Sequence, residues 1–437
     1  MSIKAILDTA AGIIRPPPDR NAWQWADDCR VLPPESAEPG KWRTSRVPYM
    51  FAPYEAASDP ACNQITLVCG AQMSKTEFEL NILGHRFDDG PYVPALYVGP
   101  TQKQVSGMSR DRVHKMVKEV PTLYDKLAKG QDDKIAEKWF GGVRLGFAWA
   151  GSPTELASWP AGLCVVDERD RMDNDVGGEG DPVELVRARG STYSNRLMVV
   201  VSTPTVYGAS PIMGLYHNST MHIWGWYCPH CGEWFRPHMD LLEYPNSDDF
   251  NEVREGAFVT CPHCGSGCFE EHKRAMNESG EYHRHTIDEE SDAYILDQDP
   301  KPNPSYGYWV SGLASPWVSF GDRAESLMKA QKTNNQKVIQ GVVNTAFGEP
   351  FRIQGEAPDF GEILALKNEM PNGAVPWDHK WITAGCDVQK NGIYYVIRSW
   401  GFNDVSHLID HGFIHGETEY DDVWLLWQKT ISRDFDG

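Results

Sequence analysis

In the segment ITLVCGAQMSKTE, Ile65–Glu77, a β-branched run ends in a short loop, and Lys75 and Thr76 stand where a helix should begin. A phosphate-binding loop belongs at such a place. Backbone N–H groups and the positive end of a helix dipole hold phosphate oxygens, a lysine neutralises the β and γ oxygens, and a hydroxyl ligates Mg²⁺. On this reading Gly70, Gln72 and Ser74 line the loop, Lys75 meets the phosphates and Thr76 the metal. The usual spacing G-x-x-x-x-G-K-[ST] has glycines where this chain has Cys69 and Ser74. Taken alone, the loop is slightly better explained by a lysine at an ordinary helix N-terminus. A second feature changes the balance: the apolar run AGLCVV ends in Asp167-Glu168, some ninety residues further on. Nucleotide hydrolysis needs such a pair, an aspartate for the Mg²⁺ shell and a neighbouring carboxylate to orient or deprotonate the attacking water. A third run, LMVVV, ends in Ser202 and Thr203, which are placed to sense a γ-phosphate or simply to form a Ser/Thr/Pro turn.

The cysteines carry a different chemistry. CPHCG occurs at Cys228–Gly232 and again at Cys261–Gly265, giving C-x2-C, a gap of 29 residues and C-x2-C. Each knuckle points two thiolates at one ion, so Cys228, Cys231, Cys261 and Cys264 predict a closed tetrahedral Zn²⁺ site that stabilises a small ribbon. Cys268, His230 and His263 are left over. The acidic stretch after Glu168, with Asp170, Asp173, Asp175, Glu179 and Asp181, lacks the glycine and terminal glutamate of a calcium loop and reads as solvated.

These groups need elements to position them. Short aliphatic runs at Ile65–Val68, Ala95–Val98, Val143–Phe147, Leu163–Val166 and Leu197–Val201 suit strands buried on both faces, and Lys75–Phe87 reads as a helix between the first two. Repeated strand–helix–strand units predict an α/β fold with a mostly parallel, doubly wound sheet, whose carboxyl edge would gather Lys75, Asp167, Glu168, Ser202 and Thr203. The expected segments are an extended, Pro- and Trp-rich N-terminal arm over 1–45, the P-loop ATPase core over 46–224, and a zinc ribbon over 225–270. A linker and helical region follows over 271–375, and a strand-rich segment over 376–437 with an Asn391-Gly392 turn. The chain has 437 residues and a net charge of −20, which excludes coating of nucleic acid by bulk attraction, so any nucleic-acid contact must be local. The most basic neighbourhood, TQKQVSGMSRDRVHKMVK, is read either as a DNA-facing or intersubunit surface or as a solvated amphipathic helix. No run approaches the roughly 18 apolar residues of a membrane span, and Asp8 and Pro16 spoil a signal peptide.

Several of these segments in one order resemble the large terminase subunit of tailed bacteriophages, in its lambda-like GpA family. The resemblance runs from about Val47 to the chain end. It includes SRVPYMFAPYEAASDP, GAQMSKTE, ALYVGPTQ, GSPTELASWPAGLCVVDERDRM, EGDP, VSTPT, the paired CPHCG knuckles, GYWVSGLASPW and VVNTAFGEPF. It implies an ATP-driven motor that packages double-stranded viral DNA into a procapsid in the host bacterial cytoplasm, and a ribonuclease H-like nuclease that cuts the DNA. ATP and Mg²⁺ are implied cofactors beside Zn²⁺; the small terminase subunit, the portal protein and further copies in a ring are implied partners. Lys75 and Thr76 correspond to Walker A, Gln72 to the glutamine often found inside terminase P-loops, Asp167 and Glu168 to Walker B and the catalytic carboxylate, and Ser202–Thr205 to the coupling motif. An arginine for transition-state charge is expected among Arg110, Arg112, Arg169 and Arg171.

Asp387, at a strand end in ITAGCDVQ, matches the first metal-binding aspartate of the family's nuclease; Asp410, Glu417 and Glu419 are the nearer candidates for its other acids but read better as surface charges. The chain stops at Gly437, about fifty residues beyond Asp387, so an incomplete nuclease domain is expected. Two rival readings are a zinc-stabilised assembly or adaptor protein with a non-hydrolysing, degenerate P-loop, and a cellular helicase or defence nuclease, for which helicase motifs are missing.

Overall fold

The computed structural model describes residues 18–128, 133–288, 291, 293–353, 371, 373–376, 379–402 and 405–435. They fall into two compact units divided after Ile353.

In the first unit the five expected runs are all strands: β1 (Gln64–Cys69), β2 (Ala95–Gly99), β4 (Val143–Trp149), β5 (Leu163–Asp167) and β6 (Leu197–Ser202), with β3 (Glu137–Phe140) preceding β4. They are joined by β7 (His222–Tyr227), β8 (Glu281–Ile287), β9 (Tyr294–Leu296) and β10 (Ser305–Val310) in one sheet of order β9-β8-β7-β10-β1-β6-β5-β2-β4-β3. Every neighbouring pair from β7 to β4 is parallel, and β3, β8 and β9 are antiparallel additions at the edges. The central strands are buried throughout because both faces are covered. Ile65, Leu67, Val199 and Val201 enter one apolar cluster, and Val68, Met198 and Val200 enter another on the opposite face. The alternation of side chains along a strand explains how one run of apolar residues feeds two cores.

Two expectations are corrected. Residues 1–45 do not form a wholly extended arm: Ala22–Cys29 is a helix, α1, started by a capping box in which Asn21 and Gln24 exchange side-chain bonds at 3.1 and 3.0 Å. It packs on α2 (Lys75–Asp88), with Trp25 wholly buried and its indole N–H donating to Asp88 at 2.9 Å. A Cβ on Gly84 of α2 would lie 2.1 Å from the Trp25 ring, so glycine is what lets the two helices approach. Nor is the stretch from 271 to 305 a linker. It holds α3 (Glu270–Ser279), β8 and β9, and then enters β10 beside the P-loop strand. After β10 the expected helical period is α4 (Phe320–Lys332), followed by a further helical stretch from Gln336 to Phe347.

In the second unit, β11 (Trp381–Gln389), β12 (Gly392–Trp400) and β13 (Ser406–His415) form an antiparallel sheet followed by α5 (Asp421–Ile431). The tight turn places Gln389 opposite Gly392, so its centre is Lys390-Asn391, one residue before the expected Asn391-Gly392 pair. Among the described residues no helix is long and apolar enough to cross a membrane.

Candidate functional site

β1, β6 and β5 lie side by side, with Val68 opposite Ser202 and Asp167 opposite Val201, so their carboxyl ends form one edge. The P-loop, the Ser202-Thr203 pair and the Asp167-Glu168 pair therefore converge, although they are far apart in sequence. Lys75 Nζ donates to Thr203 Oγ1 at 2.6 Å and to the Cys69 carbonyl at 3.4 Å, and lies 3.4 Å from Glu168 Oε1. A cavity of about 550 Å³ opens over this edge; its walls include Gln72, Lys75, Thr76, Arg112, Glu168 and Arg171.

The loop takes left-handed backbone at residues that carry side chains. Ser74 has φ +63° and Gln72 φ +58°, the left-handed conformation that glycine adopts most easily. Each costs roughly 1–2 kcal/mol in a residue with a side chain, and the surrounding structure holds them there. Gly70 is required for another reason, since a Cβ on it would sit 2.6 Å from the Thr345 carbonyl oxygen. That carbonyl accepts the Ala71 N–H at 2.7 Å, and Ser315 Oγ donates to the Gln72 carbonyl at 2.9 Å.

The two acids differ in environment. Asp167 accepts the Tyr97 hydroxyl at 2.7 Å, and burial together with the Glu168 charge raises its pKa above the usual aspartate range. A divalent cation beside it would favour the ionised form, and Thr76 lines the cavity. Glu168 faces the cavity from a left-handed backbone, φ +54°, with Arg171 Nε 3.5 Å from its second oxygen.

Of the four arginines, Arg112 and Arg171 line the cavity, whereas Arg169 is buried and committed to Asp181 and Asn174, and Arg110 pairs with Asp111 at the surface. The basic stretch around Arg110 and Arg112 is helical, with Val105, Met108, Val113, Met116 and Val117 buried.

Three features escaped the sequence reasoning. Asp170 is not solvated: its carboxylate accepts Thr205 Oγ1 at 2.8 Å, Ser210 Oγ at 2.5 Å and the Ile212 N–H at 2.8 Å, tying the Glu168 turn to the 202–205 segment. Asp181 caps the helix starting at Pro182 as well as pairing with Arg169; the Asp-Pro pair was a visible helix-start signal. The third is Glu79, one turn into α2 from Lys75, wholly buried, with its carboxyl set against that of Asp167 and no other hydrogen-bond partner. Burial and the Asp167 charge push its pKa well above the carboxylate range.

Because the unfolded chain ionises Glu79 at its ordinary pKa and the fold resists that ionisation, stability is lost as pH rises above about 4.5. Glu79→Gln is expected to flatten this part of the pH–stability curve. Denaturant unfolding of both proteins between pH 4.5 and 8 measures it, and parallel curves would show that Glu79 is not the source.

The four cysteines of the two knuckles gather their sulfurs within 4.8 Å of one another, with Cys228–Cys264 at 3.8 Å and Cys231–Cys261 at 3.9 Å. Four thiolates about 2.3 Å from one Zn²⁺ would be separated by about 3.8 Å, against about 2.05 Å for a disulfide, so the donor set and spacing fit zinc. The Cys231 thiol is pushed up to about 12: the Glu233 backbone N–H favours its thiolate, but desolvation and the sulfurs of Cys228, Cys264 and Cys261 outweigh it. A divalent cation relieves that crowding. The histidines that seemed spare form a reciprocal clasp. His230 Nε2 lies 3.1 Å from the Gly267 carbonyl, three residues past Cys264, and His263 Nε2 lies 2.9 Å from the Trp234 carbonyl, three residues past Cys231.

In the second unit Asp387 is on the exposed strand β11, across from Tyr394, and accepts Gln389 Nε2 at 2.6 Å. Asp410 is opposite Ile397, three residues along β12 from Tyr394, so strand alternation puts the two acids on opposite faces. Asp410 is also not a surface charge: it is buried and paired with Arg433. Among the described residues, only the four cysteines form a cluster of three or more possible metal ligands.

Residues 36–282 match the family model described as phage terminase large subunit gpA, ATPase domain, and residues 305–436 match the one described as terminase large subunit gpA, endonuclease domain. The large terminase subunit of Escherichia phage lambda is 25% identical over 97% of this chain and 67% of its own length. That of Enterobacteria phage P21 is 24% identical over 94% and 65%. This chain thus spans about two thirds of the length of these relatives. The crystal structure of the HK97 bacteriophage large terminase aligns over 90% of this chain and 67% of that one, at 14% identity and a TM-score of 0.45. With the ATPase match alone covering more than half of its residues, the chain belongs to the phage terminase large subunit gpA family.

Proposed function

We propose that this chain hydrolyses ATP to drive double-stranded viral DNA into a procapsid. The observation that carries this reading is the position of Lys75, within reach of both Thr203 and Glu168 at the mouth of a cavity of about 550 Å³. Lys75 and the N–H groups of the 70–76 loop hold the β and γ phosphates, and Thr76 with Asp167 holds Mg²⁺, which neutralises charge on the transferred phosphoryl group. Glu168 takes a proton from the attacking water. Arg112 and Arg171, which line the cavity, supply cations for the charge that develops. Thr203 and Thr205 register the loss of the γ-phosphate, and Asp170 passes that change to the helix beginning at Pro211.

The four thiolates hold a structural zinc with no open position for chemistry. Asp387 is the first metal ligand of the nuclease. The duplex, the small terminase subunit, the portal and neighbouring copies are the partners, and the host bacterial cytoplasm is the place of action.

The test is phosphate release by the zinc-loaded chain, with and without double-stranded DNA, beside Lys75→Ala. We expect turnover that is lost in the variant. Equal turnover in both proteins would place hydrolysis at another site.

A further inference from the structure

The segment Thr345–Glu349 packs directly against the P-loop. The Ala71 N–H donates to the Thr345 carbonyl at 2.7 Å, and a Cβ on Gly348 would lie 2.5 Å from the Gly70 nitrogen. Gly348 has φ +69°, so the close approach and the backbone conformation require glycine together. A shift of this segment must therefore shift Gly70 and Ala71.

The same segment is gripped from its other side by the chain between the two cysteine knuckles. The Met239 N–H donates to Glu349 Oε1 at 2.8 Å. The Gly348 carbonyl accepts the Trp309 indole N–H at 2.8 Å, and the Arg236 guanidinium covers the Trp309 ring at 4.1 Å. A third grip comes through α4: Arg254 pairs with Asp322 at 2.5 Å, and Arg323, on the next residue, donates to the Ala346 carbonyl. Arg236, Met239 and Arg254 all lie between Cys231 and Cys261, whose sulfurs are 3.9 Å apart. A metal at the four sulfurs pins both ends of that loop and so fixes the three grips.

We propose that metal occupancy of the cysteine ribbon and nucleotide affinity of the P-loop are linked through Thr345–Glu349, with Glu349 and Arg236 as positioning residues. The linkage rests on the nucleotide reading of the loop given above. It assigns the ribbon a task in shaping the nucleotide site, and it is reciprocal: a nucleotide that binds better to the zinc-loaded chain tightens zinc by the same factor.

The experiment uses the full chain, a fluorescent ADP analogue and a chromogenic zinc chelator. Stripping zinc is expected to raise the analogue's Kd roughly five- to tenfold, at the lower end of known coupling energies, and ADP is expected to tighten zinc by an equal factor. In zinc-loaded protein, Glu349→Ala should raise the Kd several-fold, whereas Glu349→Gln, which keeps a carbonyl acceptor for Met239, should restore it. This pair holds zinc constant, so it decides the matter even where the stripped protein unfolds. Equal affinity in wild type, Glu349→Ala and Glu349→Gln overturns the linkage while leaving the nucleotide site in place. Wild-type protein that binds no nucleotide when zinc-loaded overturns the nucleotide reading and the linkage with it.

Discussion

Glu168→Gln is expected to lower ATP turnover by roughly 10²–10⁴-fold, the usual cost of removing a general base, while nucleotide binding changes little. The asymmetry follows from what each group touches. Binding draws on the loop N–H groups and Lys75, none of which the substitution removes. Hydrolysis needs a carboxylate facing the cavity, and of the two acids at the end of β5 it is Glu168 that lines it, beside Lys75 and Arg171, whereas Asp167 is held by Tyr97. The backbone argues the same way. Glu168 occupies the left-handed region at a cost of roughly 1–2 kcal/mol, and the next two residues anchor the turn through the buried Arg169 and the Asp170 N–H, which donates to Ser202 at 3.0 Å. Phosphate release and analogue binding, measured on the same preparation, give both quantities. Turnover within a few-fold of wild type would remove Glu168 from the role of base.

The edge that gathers these groups was legible because its strands are buried on both faces, and such strands appear in the sequence as short, unbroken aliphatic runs. Each run's last residues then point to the carboxyl edge. What the sequence hid is of two kinds. Elements that bury only one side carry weak patterns: β8 alternates poorly and reads as polar linker, and α1 has only eight residues, flanked by proline-rich chain. Charged residues whose role depends on a partner far along the chain cannot be sorted at all. Arg169 and Arg171 are two positions apart, yet one is consumed by Asp181 and the other borders the cavity. Asp170 sits in an acidic run that looks solvated until Thr205, Ser210 and Ile212 are brought to it by β6 and the turn beyond. The histidines of the knuckles are similar, because their acceptors lie past the opposite knuckle. Asp387 was placed correctly at a strand, but its register across from Tyr394, away from the face of Asp410, is set by the hairpin.

Cys261→Ser is expected to release zinc at least about 10²-fold more readily, beyond the effect of losing an outer-shell partner, and to unfold the ribbon without melting the sheet. Zinc held by four thiolates supplies roughly 10–16 kcal/mol in isolated fingers, so a domain of this size depends on it for closing the chain between the knuckles. That chain has few alternatives: its strands are two or three residues long. β7 and β8, by contrast, are paired directly at Gly225–Glu281 and Trp224–Tyr282 and lie in the main core, so they should survive. The expected readouts are zinc release to a chelator and new protease cleavage confined to residues between Cys231 and Cys261, with far-ultraviolet dichroism nearly unchanged. Cys268→Ser is the control, because Cys268 lies outside the four-sulfur cluster and should leave one zinc bound per chain. Zinc retained by Cys261→Ser but lost by Cys268→Ser would mean that the fifth cysteine, and not Cys261, completes the tetrahedron.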